Sequence, residues 1–153
     1  AAPQEGGGQT GTDAQPEATA TQDQQAGGGV EEVVEIPEIT RPATYTLQRG
    51  EFPYCIARRF DLDISALLAM NGLGLNSQVA AGTVLRIPST GNWNPNHGAR
   101  ALRSHPDTIT VGANDTVYTI ACRYGDVAPE QILAANKLSS PSDVRPGMQL
   151  NIP

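Results

Sequence analysis

The sequence predicts an α+β protein made of two small βααβ units in tandem, placed after an extended low-complexity N-terminal tail. Three observations predict this: an abrupt change of composition near residue 41, an internal repeat over the rest of the chain, and an order of strand, helix, helix and strand within each copy. We place the tail at residues 1–40, the first unit at 41–88, a linker at 89–106 and the second unit at 107–153.

The tail is acidic and offers almost nothing to bury. Residues 1–29 contain Ala, Pro, Gln, Glu, Gly, Thr and Asp alone, a composition typical of a chain that stays disordered or extended. Residues 30–40 differ, because β-branched residues dominate there, and we expect a short strand if a sheet edge is available. Pro37 would restrict that strand to an edge position.

Charge and hydropathy exclude two classes of partner. The formal net charge is −6, but eight of the 16 acidic residues and none of the 10 basic ones precede Arg41, so the rest of the chain is close to neutral. A near-neutral surface without a basic stripe argues against nucleic acid as a partner. No apolar run approaches the roughly 20 residues of a membrane span. The first residue, Ala1, fits the removal of a signal peptide, although a trimmed chain would look the same.

The internal repeat accounts for nearly everything after the tail. Residues 45–60 align with 109–124 at one constant offset. After a one-residue insertion near Gly125, residues 67–88 align with 132–153. Two copies of one unit are therefore expected, each of about 45 residues and each with a thin core.

Each element of the unit has its own signal. Alternating apolar residues predict a first strand at Tyr45 and Leu47 and a last strand at Leu85 and Ile87. The intervening apolar positions fit one face of each of two short helices; they are Ile56, Ala57 and Phe60 in the first helix and Ile64, Leu67 and Leu68 in the second. We expect Tyr45 and Phe60 to belong to the core.

In the second copy, Asp115 or Thr116 suits the N-cap of the first helix. Pro129 suits the start of the second helix, and Gly147 suits the turn into the last strand. The linker holds Trp93, which can stack on a sugar or cover an apolar patch of a neighbouring unit, and we favour the covering role.

Cys55 and Cys122 lack the close spacing of a redox or zinc motif, and His97 and His105 are too few to complete a four-ligand site. We therefore expect no metal and no cofactor. A single disulfide is the favoured interpretation, while two buried free thiols remain the alternative.

The two copies resemble the lysin motif, LysM. The second copy reads I-T-V-G-A-N-D-T-V-Y-T-I-A-C-R-Y-G, then I-L-A-A-N-K-L, then P-G-M-Q-L-N-I-P, which is similar to the family pattern throughout. The first copy keeps Tyr45, Gly50 and Asn71 but has Glu51-Phe52-Pro53 where the family usually has D-T-L. The resemblance implies non-catalytic binding of glycans that contain N-acetylglucosamine (GlcNAc), such as peptidoglycan or chitin.

The resemblance also implies where the glycan would lie, in a shallow groove between the first strand-to-helix loop and the loop after the second helix. The implied residues are Gly50, Glu51, Phe52, Pro53, Asn71, Gly72 and Leu73 in the first copy, and Asn114, Asp115, Thr116, Val117, Asn136, Lys137 and Leu138 in the second. For Asn71, Asn136, Asp115 and Thr116, helix capping is an alternative role that needs no ligand.

We expect a secreted protein that is associated with a cell wall or cell surface. An alternative function is a structural subunit of an extracellular filament, sheath or surface layer that assembles through the tail. Catalysis is not expected, because the sequence contains no Ser, His and acid constellation, no H-E-x-x-H motif and no placeable pair of carboxylates.

Overall fold

The computed structural model describes residues 32–153, and its elements follow the predicted order. The first repeat contains β1 (Thr44–Thr46), α1 (Pro53–Arg59), α2 (Ile64–Met70) and β2 (Val84–Arg86). The second repeat contains β3 (Asp107–Thr110), α3 (Val117–Tyr124), α4 (Pro129–Ala135) and β4 (Gln149–Ile152). The predicted pair of βααβ units is therefore confirmed.

Each repeat is a two-stranded antiparallel sheet with two helices packed on it. Tyr45 lies opposite Leu85 in the first sheet, and Ile109 lies opposite Leu150 in the second. The two cores are separate clusters of buried apolar side chains. Tyr45 and Phe60 pack against the first core, as predicted, with an edge-to-face contact between rings 5.7 Å apart.

The helix starts follow local chemistry. Thr116 is the N-cap of α3 and forms a reciprocal capping box with Thr119, so Thr116 rather than Asp115 has that role. Pro129 opens α4, as predicted, and Asp63 caps α2 by accepting from two backbone amides. The N-cap of α1 is Phe52, whose side chain accepts no hydrogen bond, and Pro53 occupies its first turn.

Residues 34–153 form one compact unit, and a disulfide joins its repeats. Cys55 on α1 is bonded to Cys122 on α3, with 5.1 Å between their Cα atoms, so the favoured interpretation of the cysteines is confirmed. The linker adds further ties. Arg100 donates to the carbonyl oxygens of Arg58 and Arg59 at the end of α1, and the Leu102 amide donates to the Tyr124 carbonyl at the end of α3.

Trp93 has the covering role that the sequence favoured. The side chain is 6% exposed and belongs to the core of the first repeat. Its indole Nε1 donates to the Gly98 carbonyl oxygen at 2.9 Å, and the Arg58 guanidinium lies 4.6 Å from its ring centroid. The linker is thus packed onto the first repeat and is not a free tether.

The strand expected at residues 30–40 does not form over 32–40, where the backbone has no regular structure. Pro37 and Pro42 supply no N–H for a ladder, and β1 has three residues, which offers little edge to pair with. Instead the Pro37 carbonyl oxygen accepts from Gln131 Nε2 at 3.0 Å. The predictions for residues 1–31 lie outside the described residues.

Candidate functional site

The first loop of the first repeat is organised around a buried carboxylate. Glu51 Oε1 lies 2.7 Å from Arg59 Nη2, and the two side chains are 0% and 1% exposed. The Glu51 carboxylate also accepts from the Tyr45 hydroxyl and from the Gln48 amide. Burial raises the pKa of Tyr45, so its hydroxyl stays protonated and donates to Glu51. The Glu51 side chain is therefore held inside the first repeat, and the predicted contact of Glu51 with glycan stays a prediction.

The second repeat has an equivalent ion pair between a carboxylate and an arginine at the matching positions, but that pair is more exposed to solvent. Asp115 Oδ1 lies 2.6 Å from Arg123 Nη2, with side chains 17% and 37% exposed. Asp115 Oδ2 also accepts from the Gly112 amide. The hydrogen bond from Arg123, followed by that from Gly112, lowers the pKa of Asp115. Asp115 thus closes its own loop and has little charge left to offer a ligand.

The asparagines that follow α2 and α4 use their side chains in hydrogen bonds to the backbone of their own repeat. Asn71 Nδ2 donates to the Leu67 and Arg86 carbonyl oxygens, and its Oδ1 accepts from the Arg86 amide. Asn136 makes the matching three bonds in the second repeat. Both amide hydrogens are used in each case, so a sugar contact is restricted to the second lone pair of Oδ1. These side chains tie α2 to β2 and α4 to β4.

A cleft of about 400 Å³ opens where the first loops of the two repeats meet. Arg49, Gly50, Ala113, Asn114, Asp115, Thr116 and Thr119 line it. The two loops approach so closely that a Cβ at Gly50 would lie 2.5 Å from Thr119 Cγ2. Gly50 also has a φ of 89°, a backbone conformation that residues with a side chain rarely adopt. We call this space the inter-repeat cleft.

The predicted residues divide into three groups. Gly50, Asn114, Asp115 and Thr116 come together in the inter-repeat cleft. Val117 is 0% exposed in the second core and does not line the cleft, and its predicted glycan contact stays a prediction. Phe52, Pro53, Asn71, Gly72, Leu73, Asn136, Lys137 and Leu138 are not in the cleft lining.

Three residues of the cleft lining were not predicted from the sequence: Arg49, Ala113 and Thr119. Arg49 is exposed and has no hydrogen-bond or ion-pair partner within residues 32–153. Its position directly before Gly50 was visible in the sequence, but its approach to the second repeat was not, because that approach depends on how the repeats pack.

The described part of the chain offers neither a membrane-spanning helix nor a free cluster of metal ligands. No helix there is long and apolar enough to cross a membrane. Glu51, Cys55 and Cys122 place their ligand atoms within 4.8 Å of one another, but the sulfurs are joined in the disulfide and the carboxylate is paired with Arg59. This cluster therefore has a structural role.

A comparison with a protein-family profile agrees with this fold. The LysM domain profile matches residues 45–88 and 109–153, which together are more than half of the chain. The chain belongs to the LysM domain family, whose modules bind glycans that contain GlcNAc. It is therefore a tandem LysM protein.

One relative is N-acetylmuramoyl-L-alanine amidase sle1 of Staphylococcus haemolyticus (strain JCSC1435), which is 31% identical over 111 residues. That match covers 71% of this chain and 31% of the amidase, so the chain spans about a third of the length of that relative. The crystal structure of the Bacillus megaterium QM B1551 spore cortex-lytic enzyme SleL matches at 25% identity and a TM-score of 0.28, covering 72% of this chain and 22% of SleL.

Proposed function

We propose that this protein binds cell-wall glycan that contains GlcNAc, peptidoglycan or a chitin-like polymer, as a secreted or surface-associated protein that catalyses no reaction itself. The observation that carries the proposal is the pair of LysM repeats, with exposed loop residues from both gathered at one cleft.

The chemistry of the cleft suits an N-acetyl sugar. The Asn114 side chain is exposed and has no partner within the described residues, so its amide can both donate to and accept from an acetamido group. Thr116 Oγ1 accepts from the Thr119 amide, which leaves its own hydroxyl proton for a ligand oxygen. Uncharged polar groups of this kind bind sugars without the cost of stripping water from a charge.

The amidase relative supports the choice of polymer, but it does not support a catalytic activity for this chain. Its name refers to the N-acetylmuramoyl-L-alanine linkage, which favours peptidoglycan as the glycan for this chain. The match covers only the LysM region of the amidase, so we do not carry its activity over.

The filament alternative gains no support from the described residues. The part of the predicted tail that is seen packed, at Pro37, contacts Gln131 of its own chain. We therefore keep glycan binding as the single proposed function.

A sedimentation assay tests the proposal. The protein is mixed with purified insoluble peptidoglycan and, separately, with chitin, and the bound fraction is measured against cellulose as a polymer that lacks acetamido groups. We expect binding to at least one of the first two and none to cellulose. Folded protein that stays in solution with both would refute the proposal.

Matched variants locate the site. Asn114→Ala removes the unpaired amide of the cleft and should weaken binding about fivefold, the effect of one lost hydrogen bond. Asn96→Ala removes an exposed amide from the linker, outside the cleft, and should leave binding unchanged. Equal effects of the two variants would place the site elsewhere.

A further inference from the structure

We propose that the inter-repeat cleft selects the acidic form of the glycan, because Arg49 supplies an unneutralised positive charge that pairs with a carboxylate next to an N-acetyl sugar. The inference rests on the proposed function and narrows its ligand from any GlcNAc polymer to one bearing muramic acid, whose lactyl group or attached peptide provides the carboxylate.

The charge balance of the cleft carries the argument. Its lining contains one acidic residue, Asp115, and one basic residue, Arg49. Asp115 is neutralised within its own repeat by Arg123, at 2.6 Å. Arg49 has no partner within the described residues, so the cleft keeps a net positive charge although the whole chain is at −6. A guanidinium is also the cation best suited to bidentate pairing with a carboxylate.

The site is composite, since the groups that suit an acidic N-acetyl sugar come from different repeats. Arg49 precedes Gly50 in the first repeat, whereas Asn114 and Thr116 belong to the second. The disulfide between α1 and α3 and the tight contact of Gly50 with Thr119 fix these loops relative to each other. Neither repeat alone offers both the cation and the unpaired amide.

The geometry leaves room for a sugar and its substituent. The cleft volume of about 400 Å³ lies within the range of small-ligand sites, and the cleft is open to solvent along the exposed residues Arg49, Ala113 and Asn114. An exposed cation changes affinity modestly, so the expected preference is a few-fold and falls as salt is added.

Calorimetric titration with three soluble ligands tests the inference. They are a neutral GlcNAc tetramer, a (GlcNAc-MurNAc) dimer with free lactyl carboxylates, and the same dimer carrying a dipeptide, in which the carboxylate lies on the peptide. The wild-type chain should bind at least one acidic ligand about fivefold more tightly than the neutral tetramer, at low salt. Which acidic ligand is preferred identifies the source of the carboxylate.

Variants of Arg49 separate charge from shape. Arg49→Gln should abolish the preference while changing affinity for the neutral tetramer less than about twofold, and Arg49→Lys should retain most of it. Arg86→Gln is the control, because it removes the same charge from an exposed position on β2 outside the cleft. Circular dichroism checks that each variant is folded.

The outcomes are distinct. Equal affinity for neutral and acidic ligands, an equal loss for all ligands in Arg49→Gln, or the same loss in Arg86→Gln would overturn the inference and leave the proposed function standing. If the folded wild-type chain binds no ligand in solution and no insoluble polymer, the proposed function itself fails.

Discussion

Replacing Glu51 with Gln is expected to destabilise the folded unit by about 3–5 kcal/mol. The substitution keeps the shape of the side chain but leaves the Arg59 guanidinium charged where it is 1% exposed. A buried charge without its counter-ion cannot recover the hydration that it lost on folding. Apart from Glu51, the guanidinium contacts the uncharged Tyr45 hydroxyl and the two disulfide sulfurs, and its Nε lacks a hydrogen bond within the described residues, so none of these groups can replace the lost negative charge.

Urea unfolding followed by the fluorescence of Trp93, the single tryptophan, measures this cost. With a slope of about 1–3 kcal/mol per molar urea, the midpoint should fall by roughly 1 M or more. The matched control is Asp115→Asn, which breaks the equivalent pair at 17% and 37% exposure and should cost less than about 1 kcal/mol.

A double variant, Glu51→Leu with Arg59→Met, removes both charges and should regain most of the stability, because no unpaired charge is left buried. The reasoning is refuted if Glu51→Gln costs no more than Asp115→Asn. It is refuted equally if the double variant is no more stable than the single one.

Three further predictions concern the disulfide, acid stability and the linker. Replacing Cys55 and Cys122 with Ala should cost about 4 kcal/mol in the chain-entropy model, given their separation of 67 residues, and an unchanged urea midpoint would contradict this. The lowered pKa of Asp115 contributes stability that is complete above the ordinary carboxyl pKa of 3.8 and is lost as pH falls through the folded pKa. On acidification below pH 3.8, the urea midpoint of the wild type should therefore drop more than that of Asp115→Asn. Parallel pH profiles of the two midpoints would contradict this contribution. Trp93→Ala should cost about 3–5 kcal/mol by leaving a cavity, measured by circular dichroism, and a cost under about 1 kcal/mol would show that the linker is not part of the core.

The fold was predictable because its signals are local and occur twice. The alternation at Tyr45 and Leu47, the cap at Thr116 and the proline at Pro129 each act within a few residues of themselves. An apolar residue as large as Trp93 in a polar linker also has few ways to avoid water other than covering a neighbour.

The site was less predictable because it depends on contacts between the repeats. Glu51 and Asp115 occupy matching positions with matching arginine partners, yet the Glu51 side chain is fully buried and Asp115 is not. No pattern within either copy encodes that difference. Arg49 likewise becomes part of a cleft through the approach of the second repeat, whereas the Val117 side chain lies in the core of the second repeat.

The bridge between Cys55 and Cys122 changes how the two loops can act together. Because the disulfide holds the repeats as one body, the proposed glycan would meet two loops whose relative position is already fixed, so binding would cost little further ordering entropy and dissociation should be slow. Reduction would remove this covalent link and leave the linker hydrogen bonds of Arg100 and Leu102 to hold the repeats together, so we expect the proposed glycan to bind more weakly under reducing conditions.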